Sequence, residues 1–125
     1  MNSVIVNGVD MEEVDRIGQL TSPIRTRFIE RIFTPAERTI KPMRDDHVTG
    51  IFCAKEAVVK ALGCGIGMVS WHDVQILADD HGKPIIQLSG KAAEIAASQG
   101  IQSWSVSISH TRTHAIAMVV GLGAR

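Results

Sequence analysis

The sequence predicts an α+β fold: one domain over residues 1–125, with an N-terminal strand and helices followed by a mostly antiparallel sheet. Three observations carry this. Hydrophobic residues make up 45% of the 125 residues and charged residues 21%, enough apolar material for a single core. Between Met11 and Leu62, apolar side chains recur mainly at three- and four-residue spacing, the helical period. From Val74 to Val120 the apolar residues instead form short alternating or β-branched runs divided by turn clusters.

The elements follow in order. Val4-Ile5-Val6-Asn7-Gly8-Val9 is β-branched and reads as a short strand that Asp10 ends. A helix is expected from about Met11, with Val14, Ile17 and Leu20 on one side, until Ser22-Pro23 breaks it. Ile24, Phe28 and Ile32 form a second helical stripe. Thr34-Pro35-Ala36-Glu37 has the order of a capping box, with Pro35 suited to a first helical turn and Pro42 limiting that helix. The next helix should run from about Asp46 to Leu62. Ile51, Phe52, Ala54, Val58, Ala61 and Leu62 face inward, and Gly63 stands where a left-handed cap is wanted. Val74, Ile76 and Ala78 alternate as a strand. Asp79 to Pro84 turns the chain, and Ile85 to Leu88 returns as a hairpin partner. Ser89 caps an Ala-rich helix that Gly100 ends. Trp104, Val106 and Ile108 alternate with serines as a one-faced strand, and Ala115 to Val120 is apolar enough for a central one.

Composition excludes several functions. Lys+Arg and Asp+Glu number 13 each, so no global field favours a polyanion. Aromatics are 4% with no Tyr, which argues against a base-stacking platform. No apolar run reaches the ~18 residues of a membrane helix. Met1 to Val6 has no basic n-region, so it does not read as a signal peptide. Cys53 and Cys64 have no metal-ligand spacing and read as reduced thiols of a cytoplasmic protein. The charge is uneven, however. Arg16 to Arg44 holds seven basic residues and two acids, a charge of +5, and the rest of the chain carries −5. Such a segment is either a solvated helical face or a docking surface for an acidic partner.

Three polar groups stand out for chemistry. Asp10 follows an apolar strand, as a helix cap or as a metal ligand at a strand end. Glu56 and Lys60, four apart in Lys55-Glu56-Ala57-Val58-Val59-Lys60, share a helical face. They make a surface ion pair, or a carboxylate for a hard cation beside a phosphate-binding lysine. Mg²⁺ takes one or two protein carboxylates together with phosphates and water, a count that Asp10 and Glu56 would meet if the fold joins them. Ser107-Ile108-Ser109-His110-Thr111 gathers hydroxyls and an imidazole at a strand end, as a polar sheet face or as ligands for phosphate oxygens. The Gly63-Cys64-Gly65-Ile66-Gly67 run matches neither a dinucleotide fingerprint nor a P-loop.

In sequence order, these segments resemble the holo-acyl-carrier-protein synthase family, the short bacterial 4′-phosphopantetheinyl transferases. Gly8 to Ile17 is similar to its opening motif, Arg31 to Glu37 to its second, and Phe52 to Gly67 to its central one. Gly82-Lys83-Pro84 and Val106 to Thr111 are similar to two later landmarks. The resemblance implies a single 4′-phosphopantetheinyl-transferase-like domain. It also implies transfer of 4′-phosphopantetheine from coenzyme A to a serine of apo acyl carrier protein, releasing adenosine 3′,5′-bisphosphate. It gives Asp10 and Glu56 to Mg²⁺, makes Glu56 or a metal-bound water the base, and sends Lys60 to the pyrophosphate. Gly63, Gly65, Ser107, Ser109, His110 and Thr111 would approach coenzyme A, with Lys83 and Pro84 covering its adenine from a second subunit of a homotrimer. Arg16, Arg25, Arg27 and Arg31 would meet the acidic carrier. The family has a basic residue where Ile51 stands. An alternative is a catalytically weak paralogue that only binds coenzyme A or a nucleotide.

Overall fold

The computed structural model describes residues 1–125. Strand β1 (Ser3–Glu13) leads into the single turn α1 (Asp15–Gly18) and helix α2 (Ser22–Ile32). A 3₁₀ turn (Glu37–Thr39) precedes the long helix α3 (Asp45–Leu62). After it come the hairpin of β2 (Val74–Ala78) and β3 (Pro84–Leu88), helix α4 (Gly90–Ser98), and strands β4 (Ile101–His110) and β5 (His114–Ala124). Strands β1, β5 and β4 form an antiparallel sheet in that order, with the apolar β5 at its centre, while β2 and β3 form a separate ribbon. The α+β class and the order of elements match the sequence expectation. No helix is long and apolar enough to cross a membrane.

Helix α3 lies across one face of the sheet, and its inner residues join Val4, Ala117 and Val119 in one core cluster. Gly8 makes this close seating possible, because a Cβ there would collide with the Ala57 carbonyl oxygen. Even-numbered residues of β1 therefore face α3. Ile5, Val9 and Met11 face away and are exposed, as are Ile116, Met118 and Leu122 across the sheet. One face of the three-stranded sheet is thus left apolar and bare.

Two local expectations are corrected. Asp10 does not end β1, and no helix starts at Met11. The strand runs on to Glu13 because Asp10 to Glu13 pair with His114 to Ala117, and helix is confined to Asp15–Gly18. The local apolar spacing loses to this long-range pairing. The Thr34–Glu37 capping box does form, with Thr34 N donating to Glu37 Oε1 at 2.8 Å and Glu37 N to Thr34 Oγ1 at 3.2 Å. It begins only a 3₁₀ turn, because the Glu37 side chain is drawn into the core.

Candidate active site

Strand β1 and helix α3 bring the three expected charged residues together. Asp10 and Glu12 share the helix-facing side of β1. On α3, Glu56 and Lys60 lie one turn apart on the side facing that edge. Lys60 Nζ donates to Asp10 Oδ1 at 3.1 Å and to the Val9 carbonyl at 3.0 Å. The Asp10 side chain is 10% exposed, and its Oδ2 is buried with no hydrogen-bond partner. Burial holds the Glu56 carboxyl above the usual glutamate value. Asp10 and Glu12 push the same way, and Lys60 opposes them. Three carboxylates against the Lys60 ammonium and the exposed Arg16 guanidinium, 3.7 Å from Glu12, leave an excess of negative charge at this edge. No group of three or more His, Cys, Asp or Glu side chains surrounds a common point.

The same stripe of α3 contains Cys53, whose thiol sits 3.5 Å from the Ala115 carbonyl. Burial first, then the nearby Asp10 carboxylate, pushes it up to about 12, so it is inert as a nucleophile. Cys64 is free as well.

A second feature lies across α3. A cavity of about 340 Å³ is lined by the first half of α3 (Asp46, His47, Ile51), the β2–β3 turn and the start of β3 (Gly82, Pro84) and the end of β4 (Ile108, His110). Burial depresses the His47 imidazole, against the pull of Asp46 and Glu37. His110 Nδ1 is 3.7 Å from Asp46 Oδ2. Thr111 lines a smaller neighbouring pocket with Arg44 and Arg112. Ile51, where the family pattern has a basic residue, is buried here.

The remaining expected ligands are not gathered at one place within the chain. Ser107 and Ser109 pair with Met118 and Ile116 on the bare sheet face, away from the cavity that His110 lines. Gly63 takes the left-handed cap of α3 at φ 72°, and Gly65 follows in the exposed loop. The Lys83 side chain is exposed and its amide is tied to Asp79 Oδ1 at 2.9 Å, so the turn is braced within its own chain. Of the four arginines, Arg16 is 72% exposed, and Arg27 and Arg31 are exposed on α2. Arg25 differs: its guanidinium holds Asp45 Oδ1 at 2.9 Å and the Met43 carbonyl at 2.6 Å, tying α2 to the start of α3.

Sequence reasoning missed Lys55 as a structural partner. It is fully buried, and its Nζ donates to Glu37 Oε1 at 2.7 Å, Val74 O at 2.7 Å and Trp71 O at 3.1 Å. Ile76 N completes Glu37 by donating to Oε2 at 2.7 Å. Burial lowers the Lys55 ammonium from the ordinary lysine value, and Glu37 opposes that shift. The one available signal was two charged residues among otherwise apolar neighbours, which does not name a partner 18 residues away.

Comparison with known proteins agrees with the motifs. Residues 7–119 match the family model described as the 4′-phosphopantetheinyl transferase superfamily. The holo-[acyl-carrier-protein] synthase of Caldanaerobacter subterraneus subsp. tengcongensis is 42% identical over 119 residues, covering 93% of both chains. That of Herpetosiphon aurantiacus is 39% identical over 127 residues, covering 96% of this chain and all of the relative. The crystal structure of the Helicobacter pylori holo-[acyl-carrier-protein] synthase in complex with coenzyme A superimposes with a TM-score of 0.82 at 34% identity, covering 92% of this chain and 98% of that one. The Bacillus anthracis synthase in complex with CoA (3′,5′-ADP) gives 0.78 at 34% identity, covering 98% and 100%. With its charged cluster at the β1–α3 edge and its full-length likeness to these proteins, this chain belongs to the 4′-phosphopantetheinyl transferase superfamily, among the holo-[acyl-carrier-protein] synthase enzymes.

Proposed function

We propose that the protein transfers 4′-phosphopantetheine from coenzyme A to a serine of an apo acyl carrier protein. The observation that carries this reading is the meeting of Asp10, Glu56 and Lys60 at one sheet edge in a chain of this family. The serine oxygen forms a bond to the β-phosphorus of coenzyme A. The bond from that phosphorus to the bridging oxygen breaks, and adenosine 3′,5′-bisphosphate leaves with the electron pair. Glu56, whose carboxyl has a raised proton affinity, is placed in chemical terms to receive the serine proton. Lys60 neutralises charge on the pyrophosphate.

The residues fit Mg²⁺: the buried, unpartnered Asp10 Oδ2 and the crowded Glu56 carboxylate supply the hard oxygen donors such an ion takes. When bound, the ion supplies charge neutralisation on the pyrophosphate. In this reading Asp10 and Glu56 hold it, and Arg16, Arg27 and Arg31 attract the acidic carrier.

The geometry also supports a reading in which each site draws on two chains. At roughly 100° per residue, Glu56 and Lys60 project from the side of α3 opposite His47 and Ile51. The charged cluster lies at the β1 edge and the cavity near the β4 edge, with β5 between them. We read a complete site as the β1 edge of one chain beside the cavity of the next, in a homotrimer that buries the bare sheet face. There Ser107 and Ser109, with His110, Thr111, Gly63, Gly65, Lys83 and Pro84, would reach coenzyme A. A face bearing Ile5, Val9, Met11, Met118 and Leu122 favours such burial.

The test is intact-mass analysis of several apo carrier proteins after incubation with the enzyme, coenzyme A and Mg²⁺. Gain of one phosphopantetheine is expected. Unmodified carriers throughout would sink the reading.

A further inference from the structure

Lys60 is drawn to two anionic partners, the Asp10 carboxylate and the donor pyrophosphate. The proposed reaction needs it on the pyrophosphate, yet here it is committed to Asp10 Oδ1 and the Val9 carbonyl. Its stem is not trapped: the side chain is 53% exposed, against 10% for Asp10. The fixed partner is therefore the aspartate and the movable one is the lysine. Lys60 is also the only cation contacting this cluster's buried carboxylate, since Arg16 reaches only Glu12, at 3.7 Å. A divalent ion seated on Asp10 would meet that ammonium at close range, and two positive charges there repel strongly.

We infer that Lys60 is a resident cation on Asp10, a placeholder that a divalent metal displaces and thereby releases toward the donor phosphates. Metal arrival then performs two operations in one exchange. It takes the Asp10 carboxylate, and it frees the ammonium where the pyrophosphate must be bound. The lysine keeps the buried carboxylate compensated between turnovers, when an unpaired charge there would destabilise the fold. This inference rests on the metal reading of Asp10 given above, and the test separates the two.

Mn²⁺ binding is titrated by electron paramagnetic resonance, without coenzyme A, in the wild type, Lys60→Gln and Asp10→Asn, with thermal unfolding followed alongside. Crystals of the wild type with Mn²⁺ are solved in parallel. Lys60→Gln is expected to bind Mn²⁺ roughly two- to fivefold more tightly, the scale of an exposed ion pair removed as a competitor. In the Mn²⁺ crystals the Lys60 ammonium is expected beyond hydrogen-bond reach of Asp10 Oδ1. Binding by Lys60→Gln equal to or weaker than wild type would overturn the inference, as would a bound metal with the Lys60–Asp10 contact intact. Binding unchanged in a folded Asp10→Asn variant would instead overturn the metal reading beneath it.

Discussion

Replacing Lys55 by Met tests the buried pillar under the site. The ammonium is fully buried and makes three hydrogen bonds, one to the Glu37 carboxylate and two to carbonyls of the β2 region. Methionine fills similar volume, so the change removes charge with little cavity. Glu37 is left as a buried carboxylate holding only the Thr34 and Ile76 amides. Breaking one partner of such a pair costs about 3–5 kcal/mol. For a chain of this size, each kcal/mol shifts Tm by roughly 3–5 °C, so a fall of roughly 10–25 °C is expected. Protein concentration must be held fixed in the calorimetry, because assembly would add to stability. Adding Glu37→Gln to Lys55→Met should cost less than Glu37→Gln costs alone, since the neutral amide needs no counterion, although it keeps only one of the two acceptors that Thr34 N and Ile76 N use. A Lys55→Met variant within about 2 °C of wild type, or a double variant less stable than the single one by the full Glu37→Gln effect, would refute the pairing argument.

Other outcomes follow from the same geometry. Arg16→Glu should raise KM for the carrier severalfold and leave KM for coenzyme A unchanged. Salt should blunt the difference as the Debye length falls from roughly 10 Å at 0.1 M to about 3 Å at 1 M. Arg25→Gln should instead lower Tm by a few degrees with the carrier KM unmoved, because that guanidinium is spent on Asp45 and Met43. Glu56 holds its proton more tightly in the folded chain than in the unfolded one. Its contribution therefore favours folding below the ordinary value of 4.5 and is lost as pH rises through the raised one. Glu56→Gln should accordingly raise Tm at pH 7, with the gap narrowing toward pH 4.5, while turnover falls by orders of magnitude. Met118→Glu places a charge on the bare sheet face; sedimentation equilibrium should give a three-chain mass for the wild type, as proposed, and a mass close to one chain for the variant.

Much of the fold was legible because its signals are local. The spacing along Ile51 to Leu62, the Gly63 cap and the apolar run of β5 each announce their element without reference to the rest of the chain. Asp10, Glu56 and Lys60 were legible as residues out of place, and the family likeness supplied the reason to join them. What stayed hidden depends on contacts distant in sequence. Met11, Glu12 and Glu13 belong to β1 only because β5 offers a partner through His114. Arg25 looked like its neighbours Arg27 and Arg31 until Asp45 took it. Glu37 looked like half of a capping box, and it is that, but Lys55 makes it a core residue. Ser109 and His110 are adjacent in sequence, yet strand alternation sends one to the bare face and the other to the cavity.

The proposed place of phosphopantetheine transfer is the Asp10–Glu56–Lys60 edge. It is tested most directly by counting both products in one reaction. Adenosine 3′,5′-bisphosphate release is quantified by chromatography and carrier modification by intact mass, for the wild type and a folded Asp10→Asn variant, with and without Mg²⁺. One bisphosphate released per carrier modified is expected in the wild type with Mg²⁺, and loss of both signals together in Asp10→Asn. Undiminished, stoichiometric turnover by Asp10→Asn would contradict it.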